Sequence, residues 1–259
     1  MKKTILFLLL LAGKLSAQPV CSAFLYMNDT LQYKACKLVE NIDERHYQFS
    51  KEFQILYDSA LALCPHFSWG YREKSVAYLK SGDFITWKKL IDKAVQYDTL
   101  LNLGYRAWCR YEFFRDCEGA IADIELLETK TPEIGWGING NYHLTVTKAI
   151  CHSELGQQAK AISVLSSYLR DAQPIGLYDY YQLGAIHYKN KDYAQAATAF
   201  QKQIEYNNLA EAHYYLSLIY KGFHKDILAD QELLRAKQLK AEGKKLRVVY
   251  THHSNTIFF

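Results

Sequence analysis

The side chains that could do chemistry in this chain are scattered and do not form a recognisable catalytic site. His152 and Glu154 make a His-x-Glu sequence, but a zinc deaminase also needs a Pro-Cys-x-x-Cys segment, which is absent. His252 and His253 are neighbours, so on a strand they point to opposite faces and cannot share a metal ion. No HExxH, GxSxG, Walker or GxGxxG motif occurs. The sequence predicts no catalytic residue, no metal site and no cofactor.

Cysteine is the residue type with the clearest chemical potential. The chain has six cysteines, at positions 21, 36, 64, 109, 117 and 151, with no Cys-x-x-Cys pair. An even number in an oxidising compartment allows disulfides. Two pairs are candidates: Cys36 with Cys64, at the same end of a predicted hairpin, and Cys109 with Cys117, between consecutive helices. The first is the better candidate, and buried free thiols are the alternative.

The N-terminus has the features of a signal peptide over residues 1–17. A basic "MKK" precedes the apolar "ILFLLLLA", and "LSA" is a small-residue cleavage site before Gln18. Eight apolar residues are too few to span a bilayer, and no later stretch is long enough. The mature chain is therefore predicted to be exported, periplasmic or secreted, and not membrane-spanning. Residues 18–30 are predicted to be an N-terminal extension.

Charge argues against nucleic acid as the partner. Removing Lys2, Lys3 and Lys14 with the signal peptide lowers the 31 basic residues to 28, against 27 acidic residues. A general nucleic-acid binder carries a strong basic excess, which this mature chain lacks.

A repeat of about 34 residues organises the rest of the chain. The segment Tyr180–Phe200 recurs imperfectly 33 residues later, and Gly-Tyr-Arg at 70–72 recurs 34 residues later at 104–106. Pro65, Pro132 and Pro174 all fall where a repeat should end, and proline stops helices. Periods of this length indicate stacked helical hairpins.

These residues resemble the tetratricopeptide repeat (TPR) family over residues 31–241. The best units carry Leu183, Gly184, Ala196 and Phe200, and Leu216, Ser217 and Ala229. "LSAQ" after a short apolar stretch also resembles exported TPR proteins of Bacteroidetes-type bacteria. The resemblance implies an all-α fold, a right-handed α-solenoid of about six TPR-like helix hairpins with a short C-terminal tail. It also implies a concave groove, lined by the first helix of each pair, that binds a peptide or partner protein without catalysis.

Transferring the family's groove positions to this chain gives a candidate partner-binding set. Its cationic members suit an acidic group on the partner, because arginine forms paired hydrogen bonds with a carboxylate. Its tyrosines offer large contact areas. The alternative is that the tyrosines pack between repeats. The set is Trp69, Arg72, Tyr105, Arg106, Arg110, His143, Tyr178, Tyr181, Tyr188, Tyr214 and Lys221.

Two segments interrupt the repeat pattern. The glycine-rich stretch 131–141, centred on Trp136, is predicted to be a longer surface loop, and a plain connector is the favoured interpretation. Residues 242–259 change to β-branched and aromatic composition after the last repeat. This tail is predicted either to cap the final apolar face or to bind a partner.

The sequence favours a non-enzymatic, exported TPR scaffold that binds a protein or peptide partner in its groove. A structural subunit that assembles with itself or with an envelope complex is the alternative. An enzyme on a helical-repeat scaffold has no motif in its favour. Neither the partner's identity nor the oligomeric state follows from the sequence.

Overall fold

Helices make up the regular structure of this protein. The computed structural model describes residues 19–171 and 174–247, and within them the strand-like pairing is a single β-bridge between Trp136 and His143. The elements are α1 (Ala23–Tyr26), α2 (Thr30–Val39), α3 (Ile42–Arg45), α4 (Lys51–Leu63), α5 (Ser68–Ser81), α6 (Phe84–Tyr97), α7 (Thr99–Cys109), a π-helical turn (Arg110–Phe114), α8 (Cys117–Glu128), α9 (Leu144–Glu154), α10 (Gln158–Asp171), α11 (Asp179–Lys189), α12 (Tyr193–Tyr206), α13 (Ala210–Gly222) and α14 (Asp226–Ala241).

Consecutive long helices pack as hairpins. The pairs are α2 with α4, α5 with α6, α7 with α8, α9 with α10, α11 with α12, and α13 with α14. This arrangement confirms the predicted all-α solenoid of about six helix hairpins. The chain divides after Tyr97 into two compact units. The N-terminal unit contains α1–α6, and the C-terminal unit contains α7–α14.

A disulfide anchors the start of the N-terminal unit. It joins Cys21 to Cys36, with a Cα–Cα distance of 5.5 Å. The predicted Cys36–Cys64 bond is therefore wrong, because the segment before α1 lies against α2 and supplies the nearer sulfur. Cys64 keeps its thiol, buried with Sγ 3.6 Å from Nε2 of His66.

The predicted Cys109–Cys117 bond is also absent from the structure. Both residues keep their thiols in the buried interior of the C-terminal unit. Cys117 Sγ lies 3.6 Å from Oε2 of Glu154 on α9. The environment of this thiol is therefore determined by contact between successive hairpins. The spacing of cysteines in the sequence does not predict such a contact.

Close helix contact in the C-terminal unit depends on small residues at the repeat positions. Gly184 on α11 lies against the ring of Phe200 on α12, where an added Cβ would be 2.7 Å from the nearest ring carbon. Phe200 stacks in turn on Tyr215 of α13, with ring centroids 4.7 Å apart. The glycine thus allows the hairpin to close, and the aromatic rings join it to the next hairpin.

Aspartates begin several of the helices. Asp98, Asp116 and Asp192 each accept a hydrogen bond from a backbone N–H of the first turn, in α7, α8 and α12 respectively. Such caps satisfy donors that would otherwise lack partners, and each contributes about 1 kcal/mol. Asp98 lies at the start of a hairpin, and Asp116 and Asp192 lie between the two helices of their hairpins.

The first residues of the C-terminal tail turn back onto the C-terminal unit. Lys244 accepts a backbone hydrogen bond from Ala210, and buried Leu246 donates its N–H to the carboxylate of Glu211. Arg247 donates its backbone N–H to the hydroxyl of Tyr178 at 3.3 Å. These contacts cover the start of α13. The rest of the tail, residues 248–259, lies outside the described residues.

The predicted signal peptide also lies outside the described residues. Within 19–171 and 174–247, none of the helices has both the length and the apolar character needed to cross a membrane.

Candidate functional site

Two arginines of the predicted groove, Arg106 on α7 and Arg110 at the start of the π-helical turn, already bind carboxylates of their own chain. Arg106 donates to both carboxylate oxygens of Asp123 on α8, at 2.9 and 2.7 Å. Arg110 Nη1 lies 3.3 Å from the same carboxylate and donates to the carbonyl of Gly119 at 2.8 Å. Asp123 is only 5% exposed at its side chain. These two guanidinium groups hold α7 and the π-helical turn to α8.

The predicted groove residues of the N-terminal unit are also engaged internally. Trp69 is buried and packs against Tyr57 and Phe67, with ring centroids 6.0 and 5.8 Å apart. Arg72 Nε donates to the carboxylate of neighbouring Glu73 at 3.1 Å. The indole and the guanidinium therefore contribute to the packing and charge balance of this unit.

The predicted tyrosines range from fully buried to partly exposed. Tyr181 and Tyr178 are buried, and desolvation raises the pKa of Tyr181 well above its usual value. Tyr188 is half-buried, with its ring 4.9 Å from that of Tyr215. Tyr105 and Tyr214 are likewise partly buried, and Lys221 is exposed. The buried rings agree with the alternative that tyrosines pack between repeats.

His143 lies in a different setting from the rest of the predicted set. It begins α9, where Nδ1 accepts the backbone N–H of Thr145 at 3.2 Å. Its ring stacks on Tyr168 of α10, with centroids 5.0 Å apart, and Trp136 meets it edge-on at 5.7 Å. These three rings form one wall of a recess of about 590 Å³ in the C-terminal unit. We refer to it as the aromatic recess.

The segment between α8 and α9, which interrupts the repeat and carries Trp136, also lines the aromatic recess with Glu133 and Gly135. Gly137 donates its N–H to the carbonyl of Tyr142, and Leu144 donates to that of Gly135, both at 2.9 Å. Gly137 also approaches Trp108 so closely that an added Cβ would lie 2.5 Å from its ring. The loop is thus held in a folded conformation by backbone hydrogen bonds.

The aromatic recess has an acidic rim. Glu128, Glu133 and Asp171 all line it, and among the described residues that line it there is no lysine or arginine. Glu128 is neutralised by Lys148 of α9, which donates to its two oxygens at 2.6 and 2.7 Å. Lys148 occupies the position where the repeat pattern expects leucine, and this ion pair accounts for that departure.

The remaining rim carboxylates have no such partner. Among residues 19–171 and 174–247, neither Glu133 nor Asp171 forms an ion pair, and both are exposed. Burial lowers the pKa of His143 below its usual value, so its imidazole is neutral at neutral pH and does not offset them. The recess therefore combines aromatic faces with two uncompensated negative charges.

Sequence reasoning identified His143 but missed the residues around it. Trp136 was noticed as the centre of an insertion that also contains Glu133, while Tyr168 and Asp171 gave no signal, because they lie on a different element, α10. Within the part of the chain that the structure describes, no three His, Cys, Asp or Glu side chains are placed to hold a metal ion.

Comparison with known proteins identifies similar folds but no sequence relatives. No protein-family profile matches the chain, and no curated protein matches its sequence. The crystal structure of PilW, described as a widely conserved type IV pilus biogenesis factor, is similar at 15% identity, with a TM-score of 0.56 over 87% of this chain and 91% of that one. A structure of PilF from Pseudomonas aeruginosa is similar at 14% identity, with a TM-score of 0.54 over 86% and 94%.

Both similarities extend over most of each chain, and at such low identity they concern the fold alone. They agree with the succession of helix hairpins along the chain. The protein has a TPR-like fold of helix hairpins.

Proposed function

We propose that this chain is an exported, non-enzymatic TPR-type scaffold that binds a partner protein or peptide. The observation that carries the proposal is the aromatic recess, an open hollow of about 590 Å³ on a stack of TPR-like hairpins. Repeat scaffolds present extended surfaces for partners, and partly exposed aromatic rings are effective anchors at protein interfaces.

The Cys21–Cys36 disulfide supports export. Disulfides persist in oxidising compartments such as the periplasm and are rare where thiols are kept reduced. Together with the predicted signal peptide, the bond favours a periplasmic or secreted protein, as in the exported Bacteroidetes-type TPR proteins that the N-terminus resembles. The fold similarity to a type IV pilus biogenesis factor favours a role in the assembly of envelope proteins.

Partner contact is proposed at the solvent-facing members of the predicted groove set. His143, Tyr188 and Lys221 retain accessible surface. Arg106 and Arg110 hold Asp123, so an acidic group of a partner would have to displace an existing ion pair there. This competition makes these two arginines the weaker contact points.

Capture from an envelope extract tests the proposal. Immobilised residues 18–259 should retain a defined protein, identified by mass spectrometry, in amounts comparable to the bait. His143→Ala should reduce that capture, while Lys237→Ala, at an exposed position of α14, should leave it unchanged. Retention no greater than that of bare beads would contradict the scaffold function.

Self-assembly is the second candidate, and one feature of the last helix favours it. Ile227, Leu228 and Leu234 of α14 are exposed apolar side chains. Size-exclusion chromatography with light scattering distinguishes the candidates, because a structural subunit forms a stable oligomer without a partner. An Ile227→Glu variant that turns such an oligomer into a monomer would favour self-assembly.

A further inference from the structure

We propose that the aromatic recess binds a lysine-bearing, positively charged segment of the partner protein. This inference rests on the scaffold function proposed above and specifies the chemistry of the partner. It differs from the sequence-based expectation, which placed an acidic group of the partner against the arginines of the groove.

The aromatic wall is suited to an ammonium group. Trp136 is 36% exposed, and Tyr168 and His143 lie face to face beside it. A lysine ammonium is attracted to the faces of tryptophan and tyrosine within about 6 Å of the ring centre, while its methylene chain packs on the same apolar surface. The volume of about 590 Å³ is that of a typical ligand pocket and accommodates more than one side chain.

The rim supplies the matching charge. Glu133 and Asp171 border the recess, and no ion pair compensates either of them within the described ranges 19–171 and 174–247. Glu128, by contrast, is already bound by Lys148 on the same side. An acidic partner would meet two like charges at this site, whereas a lysine meets two opposite charges and three rings. Charge complementarity thus selects a basic segment over an acidic one.

The position of the recess strengthens the argument. The loop carrying Glu133 and Trp136 is folded by its own backbone hydrogen bonds, so the wall exists before a partner arrives. Asp171 ends α10 and Tyr168 lies one turn earlier on the same helix. Ordered elements therefore hold the carboxylates and the rings, which lowers the entropic cost of binding.

Nuclear magnetic resonance of the indole N–H groups tests the proposal directly. The chain has four tryptophans, and Trp136→Phe assigns the relevant signal. The probes are two capped hexapeptides, one of alternating alanine and lysine and one of alternating alanine and glutamate. The lysine peptide should shift the Trp136 signal in a saturable manner, and the glutamate peptide should not.

A matched pair of double variants separates the recess from general charge. Glu133→Gln with Asp171→Asn should weaken binding of the lysine peptide about fivefold or more, the size expected for two lost ion pairs. Glu118→Gln with Asp230→Asn removes the same charge at exposed positions outside the recess and should change binding less than about twofold.

Three results would overturn the proposal: no shift with the lysine peptide, equal shifts with both peptides, or equal weakening in both double variants. The capture experiment with envelope extract is independent of these outcomes. A scaffold that retains its partner but ignores the lysine peptide would keep the proposed function and lose this inference.

Discussion

Replacing Arg106 with alanine distinguishes a structural arginine from one that is held ready for a partner. The guanidinium makes two hydrogen bonds to Asp123, whose side chain is 5% exposed. Removing one member of a buried ion pair costs about 3–5 kcal/mol, because the other charge stays buried. Arg110 still lies 3.3 Å from the carboxylate and compensates part of that loss. We therefore expect a decrease of about 2–3 kcal/mol in the free energy of unfolding.

Urea unfolding followed by circular dichroism measures this change. For a domain of this size the thermal midpoint should also fall by about 5–10 °C. Arg170→Ala, at an exposed position of α10, is the control and should change stability by less than about 0.5 kcal/mol. Combining Arg106→Ala with Asp123→Ala should cost less than the sum of the single variants, since each already breaks the pair. Wild-type stability in Arg106→Ala would refute the reasoning and return this arginine to the partner-binding set.

Three further perturbations address packing, protonation and the thiols. Gly184→Ala should lower the free energy of unfolding by about 1–3 kcal/mol in urea, because its Cβ meets the ring opposite on α12, whereas Gly222→Ala, with open space around it, should not. Burial raises the pKa of Asp179 to about 6, so its stabilising contribution is complete below about pH 4 and is lost as the pH rises through 6. This loss amounts to a decline of about 2 kcal/mol in the free energy of unfolding between pH 4 and pH 6.5, and Asp179→Asn should abolish it. Thiol titration of the denatured, unreduced protein should find four thiols, rising to six after reduction of the Cys21–Cys36 bond; six thiols before reduction would contradict that bond.

The hairpin fold could be predicted because its causes are local and recur along the chain. Small residues such as Gly184 must occur where two helices touch, bulky residues such as Phe200 must occur opposite, and prolines end the units. Each requirement leaves a trace at a fixed sequence spacing. Stacking then follows, because a single hairpin cannot bury its apolar face.

The disulfide and the arginine pairs could not be predicted in the same way. More than one cysteine could pair with Cys36 in a plausible hairpin arrangement. The position of the segment before α1 determines that its partner is Cys21. The repeat register placed Arg106 among the groove residues. It could not predict that Arg106 pairs with Asp123, which is 17 residues away on the next helix. Pairings between elements depend on tertiary packing, which the periodic pattern does not specify.

The proposed binding site lies where the repeat pattern is interrupted, and a physical reason connects the two. Within the C-terminal unit, regular positions of the first helices are used for contact inside the hairpins: Tyr181 packs against Phe200 of α12, and Arg106 binds Asp123 of α8. Residues that stabilise every hairpin in the same manner cannot at the same time distinguish one partner from another.

The segment between α8 and α9 is free of that requirement, because it adds residues beyond the repeat length. It places Glu133 and Trp136 against the side of α10, next to a histidine that begins α9. Selectivity at this site then depends on the insertion and on the rim charges, while stability depends on the hairpins. Substitutions at the rim should accordingly change partner choice with little effect on unfolding, and substitutions at hairpin contacts should do the opposite.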